Sequence, residues 1–247
     1  MQKITKDSKC IIFDWDGTLV SCEQLVHASY VLTFLKMGND KAFTWSEADT
    51  HAQNGKSRQT IFSDTTIWGT NTKEAEEIFY QVYPRLQQND SVLFQLYQDV
   101  TGKQLQPLMV YEGAKEFLHY LKIQKPNRPI VLLGAKNEEL LRKEVFEAGL
   151  IQYFNRIIGN TVHADANKPS PKVFDRAVAN YHISDKSSVC YIGDNPQKDI
   201  AFAQSWGATG FILTPEKLRE IAQFLPQQVS HKTIPFVACL STPHING

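Results

Sequence analysis

The sequence lacks an excess of either charge and lacks any long apolar run, and each absence excludes a class of protein. Its 26 Lys and Arg residues match its 26 Asp and Glu residues, so the formal net charge is zero. Nucleic-acid-binding proteins usually carry a basic excess, so we expect no nucleic-acid partner. No apolar run approaches the roughly 18 residues that indicate a transmembrane helix, so we expect no membrane partner.

Cysteine is also scarce, which bears on the compartment of the protein. The four cysteines, at positions 10, 22, 190 and 239, include no Cys-x-x-Cys pair. The first ten residues contain three lysines before a brief apolar run, which is not the pattern of a secretory signal peptide. We therefore expect reduced thiols and a cytoplasmic protein.

The remaining pattern is an alternation of short apolar runs with helical periodicity. Runs typical of buried strands occur at Cys10–Phe13, Ile130–Leu133, Arg156–Ile158, Val189–Ile192 and Gly210–Leu213. Helical patterns lie between and after these runs, at Glu112–Gln124, Asn137–Ala148, Pro171–Tyr181, Gln197–Trp206 and Pro215–Leu225. This alternation predicts an α/β fold in which helices cover both faces of a parallel sheet.

The first two strand patterns are too far apart for one strand–helix–strand unit, which needs only about 30 residues. We predict an α/β core made of residues 1–20 and 107–247, interrupted by a small helical domain over residues 21–106. The last stretch, 226–247, is expected either to add an edge strand or to pack on the surface.

Local signals predict where two helices of the insertion begin and end. Ser21 and Gln24 have the spacing of a capping box, which predicts a helix over Glu23–Met37. Asp90 is the predicted N-cap of a later helix, and Gly102 is its predicted end.

Two carboxylates follow the first strand pattern directly. Asp14 and Asp16 are two residues apart, a spacing that points side chains to the same side of an extended chain. Ligands of open parallel sheets bind outside the carboxyl ends of the strands, and paired carboxylates there suit Mg²⁺. The alternative for this segment alone is an Asp-Gly hairpin turn. An EF-hand is excluded because Gly17 lies at the wrong loop position.

Two further polar elements come later in the chain. Asp194 follows the strand pattern at Val189–Ile192 and is expected at the same sheet edge as Asp14. Lys168 precedes a Pro-rich helix start. Taken singly, Asp194 is also typical of a helix N-cap and Lys168 of a solvated surface charge.

The order and context of three motifs together resemble the haloacid dehalogenase superfamily of phosphohydrolases. The motifs are Phe-Asp-Trp-Asp-Gly-Thr-Leu-Val at 13–20, Lys-Pro-x-Pro-x-x-Phe at 168–174 and Gly-Asp-x-x-x-x-Asp-Ile at 193–200. The resemblance implies a Rossmann-like core with an inserted helical type-one cap. The resemblance is greatest to the phosphoglycolate phosphatase and β-phosphoglucomutase branch. Residues 54–58 of this sequence resemble the cap segment that this branch uses for substrate selection.

The resemblance also implies a role for each matching residue. Asp14 would be the nucleophile that forms an aspartyl-phosphate, and Asp16 the general acid and base. Mg²⁺ would be held by Asp14, the main-chain carbonyl of Asp16, and Asp194. Lys168 would stabilise the transferring phosphoryl group and hold Asp14, and Asp199 would orient Lys168 or a metal-bound water.

Substrate and phosphate contacts are expected from a wider set of residues. These are the loop residues Trp15, Gly17 and Thr18, the strand-end residues Gly134 and Ala135, and the cap residues Lys56 and Arg58. The implied partner is a small phosphorylated metabolite, and a monomer or weak dimer is expected.

One departure from the family pattern concerns the phosphoryl contact at the second core strand. Gly134 stands where the family has Ser or Thr, and no Ser or Thr occurs between Thr101 and Thr161. The amide of Gly134, or the side chain of Lys136 or Asn137, is the expected substitute. Gly134→Ser is then expected to raise kcat by restoring a donor.

Three functions stay open on the sequence alone. A Mg²⁺-dependent phosphatase is the favoured interpretation, a phosphomutase of the β-phosphoglucomutase type is the second, and a weakened phosphate-binding relic is the third. Dehalogenation is disfavoured because it does not need Asp16. A response-regulator receiver is disfavoured by the large insertion after the first strand.

Overall fold

The computed structural model describes residues 7–38, 61–106, 108–162 and 167–225. It divides the chain into two compact units, Met1–Ser21 with Val110–Gly247 and Cys22–Met109. The predicted bounds, 1–20 with 107–247 and 21–106, place the two junctions at slightly different residues. That the second unit acts as a cap stays a prediction, and the predicted edge strand of the tail lies outside the described residues.

The first unit contains a five-stranded parallel sheet. Among the described residues the strands are, in chain order, β1 (Cys10–Phe13), β2 (Val20–Ser21), β3 (Met109–Val110), β4 (Ile130–Asn137), β5 (Arg156–Asn160), β6 (Val189–Gly193) and β7 (Thr209–Ile212). The main sheet has the order β5-β4-β1-β6-β7, and β2 and β3 pair separately. All four neighbouring pairs in the main sheet are parallel. The predicted α/β fold is therefore confirmed.

Helices follow the strands of the sheet and make up most of the described residues of the second unit. They are α1 (Glu23–Lys36), α2 (Thr65–Trp68), α3 (Thr72–Gln87), α4 (Ser91–Thr101), α5 (Ala114–Gln124), α6 (Glu138–Glu147), α7 (Lys172–Val178), α8 (Lys198–Trp206) and α9 (Pro215–Phe224). In the described part of the chain, none of them is both long and apolar enough to cross a bilayer.

Helices cover both faces of the sheet, which explains the near-continuous apolar sequence of its strands. On one face, Tyr191 of β6 packs with Phe174 of α7 and with Phe202 and Trp206 of α8. On the other face, the ring of Phe13 meets the ring of Phe117 of α5 edge-on, with centroids 6.0 Å apart. A central strand buried on both faces has no need of polar alternation.

The second unit has its own aromatic core. The rings of Phe34 and Trp68 stack with centroids 4.1 Å apart, and those of Tyr30 and Phe79 are 4.8 Å apart. These side chains come from α1, α2 and α3, so the helices bury one another's apolar faces.

The two helices predicted in the insertion are present, and the predicted caps are confirmed in one of them. The helix predicted over Glu23–Met37 is α1, which ends at Lys36 with Met37 at its C-cap. Asp90 caps α4 by accepting hydrogen bonds from the backbone of its first turn, and Gly102 ends that helix in the left-handed conformation. The capping box at Ser21 is wrong, because Ser21 belongs to β2 and Cys22 is the N-cap residue, with no capping hydrogen bond from its side chain to the helix. The side chain of Gln24 instead accepts a hydrogen bond from the amide of Gln106 at 3.0 Å.

Strand β4 runs further than its apolar pattern predicts. The apolar pattern predicts an end at Leu133, but β4 continues to Asn137 after a shift of register against β5. Pairing between Asn137 and Asn160 supports the extension, which carries Lys136 in a buried position beyond the apolar run. A hydrophobic pattern does not detect a strand extended by backbone pairing alone.

Candidate active site

The site lies at the carboxyl ends of the three central strands. Strand β1 lies between β4 and β6, so residues that follow these strands come together across the sheet. Asp14 follows β1, and its amide donates to the carbonyl of Ile192 in β6 at 2.8 Å. Asp194 follows β6. The expectation that Asp14 and Asp194 share one edge agrees with these positions.

Lys168 is paired with Asp14. Its ammonium nitrogen lies 2.9 Å from Asp14 Oδ1, and both side chains are nearly buried, with 12% and 14% exposed. The loop that carries Lys168 is anchored by its neighbour Asn167, whose Nδ2 donates to the carbonyl of Thr161 at 2.6 Å. The amide of Thr161 donates back to Asn167 Oδ1 at 2.8 Å. Lys168 is thus a buried partner of Asp14 rather than a solvated surface charge.

A tyrosine that the sequence analysis missed links Lys168 to Asp199. Lys168 Nζ donates to the hydroxyl of Tyr191 at 2.7 Å, and that hydroxyl donates to Asp199 Oδ1 at 3.3 Å. Asp199 Oδ2 accepts the amide of Asn195 at 2.8 Å. Asp199 therefore reaches Lys168 through Tyr191. The only sequence signal for Tyr191 was a phenol within a buried strand pattern.

Three carboxylates form an acidic cluster beside Lys168. One oxygen each from Asp14, Asp194 and Asp199 lies within 4.8 Å of the others. Burial, then the negative charges of Asp14 and Asp199, raises the pKa of Asp194 to about 6. Burial also raises the pKa of Asp14, although Lys168 opposes this effect. The cluster has more negative charge than Lys168 neutralises, and its hard oxygen ligands suit Mg²⁺.

Asp16 has a different set of partners from Asp14. Its Oδ1 lies 3.0 Å from the ammonium nitrogen of Lys136 in β4, which is also 2.7 Å from Glu144 Oε2 in α6. The indole N–H of Trp15 donates to the same Glu144 oxygen at 2.8 Å. Burial alone would lower the pKa of Lys136, but Asp16 and Glu144 outweigh it and raise that pKa.

Sequence analysis missed the role of Glu144 and misassigned the contact of Lys136. A signal for Glu144 was present, since a carboxylate beside Leu141 and Val145 lies on the apolar face of its helix. The sequence predicts Lys136 as a substitute phosphoryl donor, whereas its ammonium group donates to Asp16 and Glu144. Asn137, the other expected substitute, caps α6 with its side-chain oxygen.

The loop after Asp14 requires glycine at position 17. Gly17 has φ +80°, and a Cβ there would lie 2.5 Å from Asp194 Oδ2. The hydroxyl of Thr18 donates to Asp194 Oδ1 at 3.4 Å. The amide of Trp15 donates to Asp14 Oδ1 at 2.8 Å. The amide of Gly17 donates to the carbonyl of Val20 in β2, and that of Thr18 donates to the carbonyl of Trp15. Phosphate binding by these amides stays a prediction.

Gly134 lies inside β4, where a side chain would face the core. A Cβ on Gly134 would come within 2.9 Å of Cδ2 of Leu141, a fully buried residue of α6. Ala135 is exposed, and its carbonyl accepts a hydrogen bond from Asn160 Nδ2 at 2.6 Å. Phosphate binding by Gly134 and Ala135 stays a prediction. The expected cap residues Lys56 and Arg58 lie outside the described residues.

Comparisons with known proteins agree with this arrangement. A family model described as haloacid dehalogenase-like hydrolase matches residues 8–207. A search of curated proteins found no match.

Similar solved structures include a HAD-superfamily hydrolase from Ehrlichia chaffeensis, with 23% identity, 88% of this chain and 97% of that chain covered, and a TM-score of 0.54. A predicted phosphoglycolate phosphatase from Haemophilus somnus 129pt has 21% identity, with 83% of this chain and 84% of that chain covered, and a TM-score of 0.56. A haloacid dehalogenase-like hydrolase from Streptococcus pneumoniae has 16% identity, with 89% of this chain and 92% of that chain covered, and a TM-score of 0.59. These likenesses support the fold, and the family model covers most of the chain, including all three motifs. The chain therefore belongs to the haloacid dehalogenase-like hydrolases.

Proposed function

We propose that the protein is a Mg²⁺-dependent phosphatase that hydrolyses a small phosphate monoester through an aspartyl-phosphate. The observation that carries this proposal is the position of Asp14. Its carboxylate lies at the carboxyl end of β1, 2.9 Å from the buried ammonium group of Lys168, beside the carboxylates of Asp194 and Asp199. A carboxylate nucleophile next to a fixed cation suits attack on a phosphoryl group.

The first chemical step transfers the phosphoryl group to Asp14. An oxygen of Asp14 attacks phosphorus, and the bond from phosphorus to the ester oxygen breaks. The electron pair of that bond stays on the ester oxygen, which takes a proton from Asp16 and leaves as the alcohol. Lys168 offsets the negative charge on the transferring oxygens.

The second step hydrolyses the aspartyl-phosphate. Asp16, now ionised, takes a proton from a water molecule, whose oxygen attacks phosphorus. The bond from phosphorus to the Asp14 oxygen breaks, and its electron pair restores the Asp14 carboxylate. The products are inorganic phosphate and an enzyme in which Asp16 is protonated again.

The acidic cluster fits a magnesium ion. The side chains of Asp14 and Asp194 and the main-chain carbonyl of Asp16 would hold it, and Asp199 has an oxygen in the same cluster. Bound Mg²⁺ supplies positive charge that offsets the repulsion between the Asp14 carboxylate and a phosphate dianion.

A phosphate-release assay tests the proposal. We expect p-nitrophenyl phosphate and a panel of small phosphate monoesters to be hydrolysed with Mg²⁺, and activity to be lost with EDTA. Asp14→Asn should remove turnover, and the wild type quenched during turnover should carry a hydroxylamine-labile phosphoryl group at Asp14. Asp185→Asn is the control, because Asp185 is an exposed carboxylate at the amino end of β6. A wild type without activity on the whole panel contradicts the proposal.

A weakened phosphate-binding relic is an alternative function, and Gly134 is the observation that favours it. A lost transition-state donor costs about 2.7–4 kcal/mol in other enzymes, which is enough to slow turnover greatly. A relic would bind inorganic phosphate without releasing any from the panel of esters. Calorimetric titration with phosphate beside the activity assay separates the two functions.

A further inference from the structure

A four-residue network joins the loop after β1 to helix α6. Lys136 Nζ lies 3.0 Å from Asp16 Oδ1, and it lies 3.0 and 2.7 Å from the two oxygens of Glu144. The indole N–H of Trp15 donates to Glu144 Oε2 at 2.8 Å. Two consecutive loop residues are thus tied to the same buried ion pair, Trp15 through Glu144 and Asp16 through Lys136.

The exposed fraction of the side chains in this network increases from the core towards Asp16. The side chains of Lys136 and Glu144 are each only 6% exposed, whereas the Asp16 side chain is 28% exposed. An ion pair needed for stability alone would be complete with Lys136 and Glu144. The third partner, Asp16, instead extends the pair to a carboxylate that solvent reaches. Its side chain would otherwise be free to rotate on a loop.

We propose that Lys136, held in place by Glu144 and the Trp15 indole, is a positioning residue that orients the Asp16 carboxylate for proton exchange with the leaving alcohol. This inference rests on the proposed phosphatase function, in which Asp16 gives up that proton. Lys136 forms no bond with the substrate in this role. Glu144 takes up the remaining ammonium donors, so that Lys136 stays on one side of Asp16.

The role predicts a specific dependence on the leaving group. A leaving phenolate with an electron-withdrawing substituent departs without much help from a proton, whereas a more basic one needs it. General acid catalysis contributes about 10²–10⁴-fold when the acid is well placed. Misplacing Asp16 therefore slows esters of basic leaving groups more than esters of acidic ones. A change that only destabilises the fold lowers both rates alike.

The test compares kcat/KM for phenyl phosphates whose ring substituents range from 4-nitro to 4-methoxy. The double variant Lys136→Met/Glu144→Gln removes both buried charges together, so that no unpaired ion remains in the core. Glu144→Gln alone keeps the shape and an acceptor for the Trp15 indole. We expect the rate ratio of the 4-nitro to the 4-methoxy ester to rise about fivefold or more in either variant.

A matched control comes from the exposed face of the same helix. Lys143 and Glu147 form an ion pair of 3.8 Å in which each side chain is about half exposed. Lys143→Met and Glu147→Gln change the same residue types on α6, and we expect them to leave the ratio at the wild-type value. Circular dichroism and a thermal melt establish whether each variant is folded. If the double variant is unfolded, the result for Glu144→Gln decides the test.

The outcomes separate this inference from the function on which it rests. An active wild type with the same ratio in a folded variant overturns the positioning role alone. A wild type that releases phosphate from none of the esters overturns the phosphatase proposal and this inference with it. An equal loss for every ester also overturns the positioning role, because it indicates general damage to the site.

Discussion

The hydroxyl of Tyr191 lies 2.7 Å from the ammonium nitrogen of Lys168, so a buried strand residue holds the cation that pairs with Asp14. The same hydroxyl donates to Asp199, and the Tyr191 ring packs against Phe174 and Phe202. The phenol therefore has two separable contributions, a hydrogen bond to Lys168 and apolar packing in the core.

Tyr191→Phe keeps the packing and removes the hydrogen bond. A hydrogen bond contributes about 0.5–1.5 kcal/mol net, so we expect kcat to fall roughly two- to tenfold while the fold stays intact. Steady-state kinetics with p-nitrophenyl phosphate measure the effect. Tyr153→Phe is the control, since Tyr153 is a buried tyrosine before the amino end of β5. An unchanged kcat in Tyr191→Phe would show that Lys168 does not need the phenol.

Asp194 makes the stability of the metal-free protein depend on pH. Its pKa is raised to about 6 by burial and by Asp14 and Asp199, whereas an unfolded aspartate titrates near 3.9. Because the folded state binds this proton more tightly, the group stabilises the fold at low pH. That contribution is lost as the pH rises through about 6.

Asp194→Asn should therefore stabilise the protein at pH 7.5 in the presence of EDTA. We expect its free energy of unfolding to exceed that of the wild type by about 1–3 kcal/mol at pH 7.5, and the difference to shrink towards zero near pH 4. Added Mg²⁺ should raise the melting temperature of the wild type and leave the variant unchanged. Urea denaturation at both pH values provides the check. A variant less stable than wild type at pH 7.5 contradicts the prediction.

Gly17→Ala should damage the acidic cluster more than it damages the fold. A Cβ at this position would lie 2.5 Å from Asp194 Oδ2, in addition to the strain of φ +80°. Gly149 offers a control, because it has φ +66° with no atom within 4 Å of an added Cβ. Both alanine variants should lose roughly 1–2 kcal/mol of stability, but only Gly17→Ala should lose most activity and Mg²⁺ affinity. Equal activity in the two variants would contradict the predicted displacement of Asp194.

Gly134→Ser is expected to destabilise the fold, a cost that the sequence does not show. A Cβ on Gly134 meets Leu141 in the packed layer between β4 and α6. The effect of the hydroxyl on kcat stays a prediction. Overpacking a core costs about 1–3 kcal/mol, so both Gly134→Ser and Gly134→Ala should melt earlier than wild type. Single-turnover kinetics on the two variants measure the effect of the Ser hydroxyl on the chemical step. A faster chemical step in Gly134→Ser than in Gly134→Ala would confirm that the hydroxyl restores a donor, and equal rates would contradict it.

The sequence by itself determined the fold class and the residues that meet at the end of the sheet. An apolar run that stops at Asp14 and another that stops before Asp194 are local patterns, and parallel strands bring their carboxyl ends to one edge. Asp90 and Gly102 are also local signals, and they predict the two ends of a helix because caps act on backbone groups only a few residues away.

Only the tertiary structure decided which side chains pair within that edge. Asp16 and Lys136 are 120 positions apart, and their contact depends on strand order and on an extension of β4 that pairing with β5 supports. The direction of a Cβ at Gly134 depends on the same register, because a shift of one residue turns a side chain to the other face of a sheet. Local sequence patterns predict the strands and the polar residues that follow them. The contacts of Tyr191, Lys136 and Glu144 arise from distances between strands and helices that no local pattern contains.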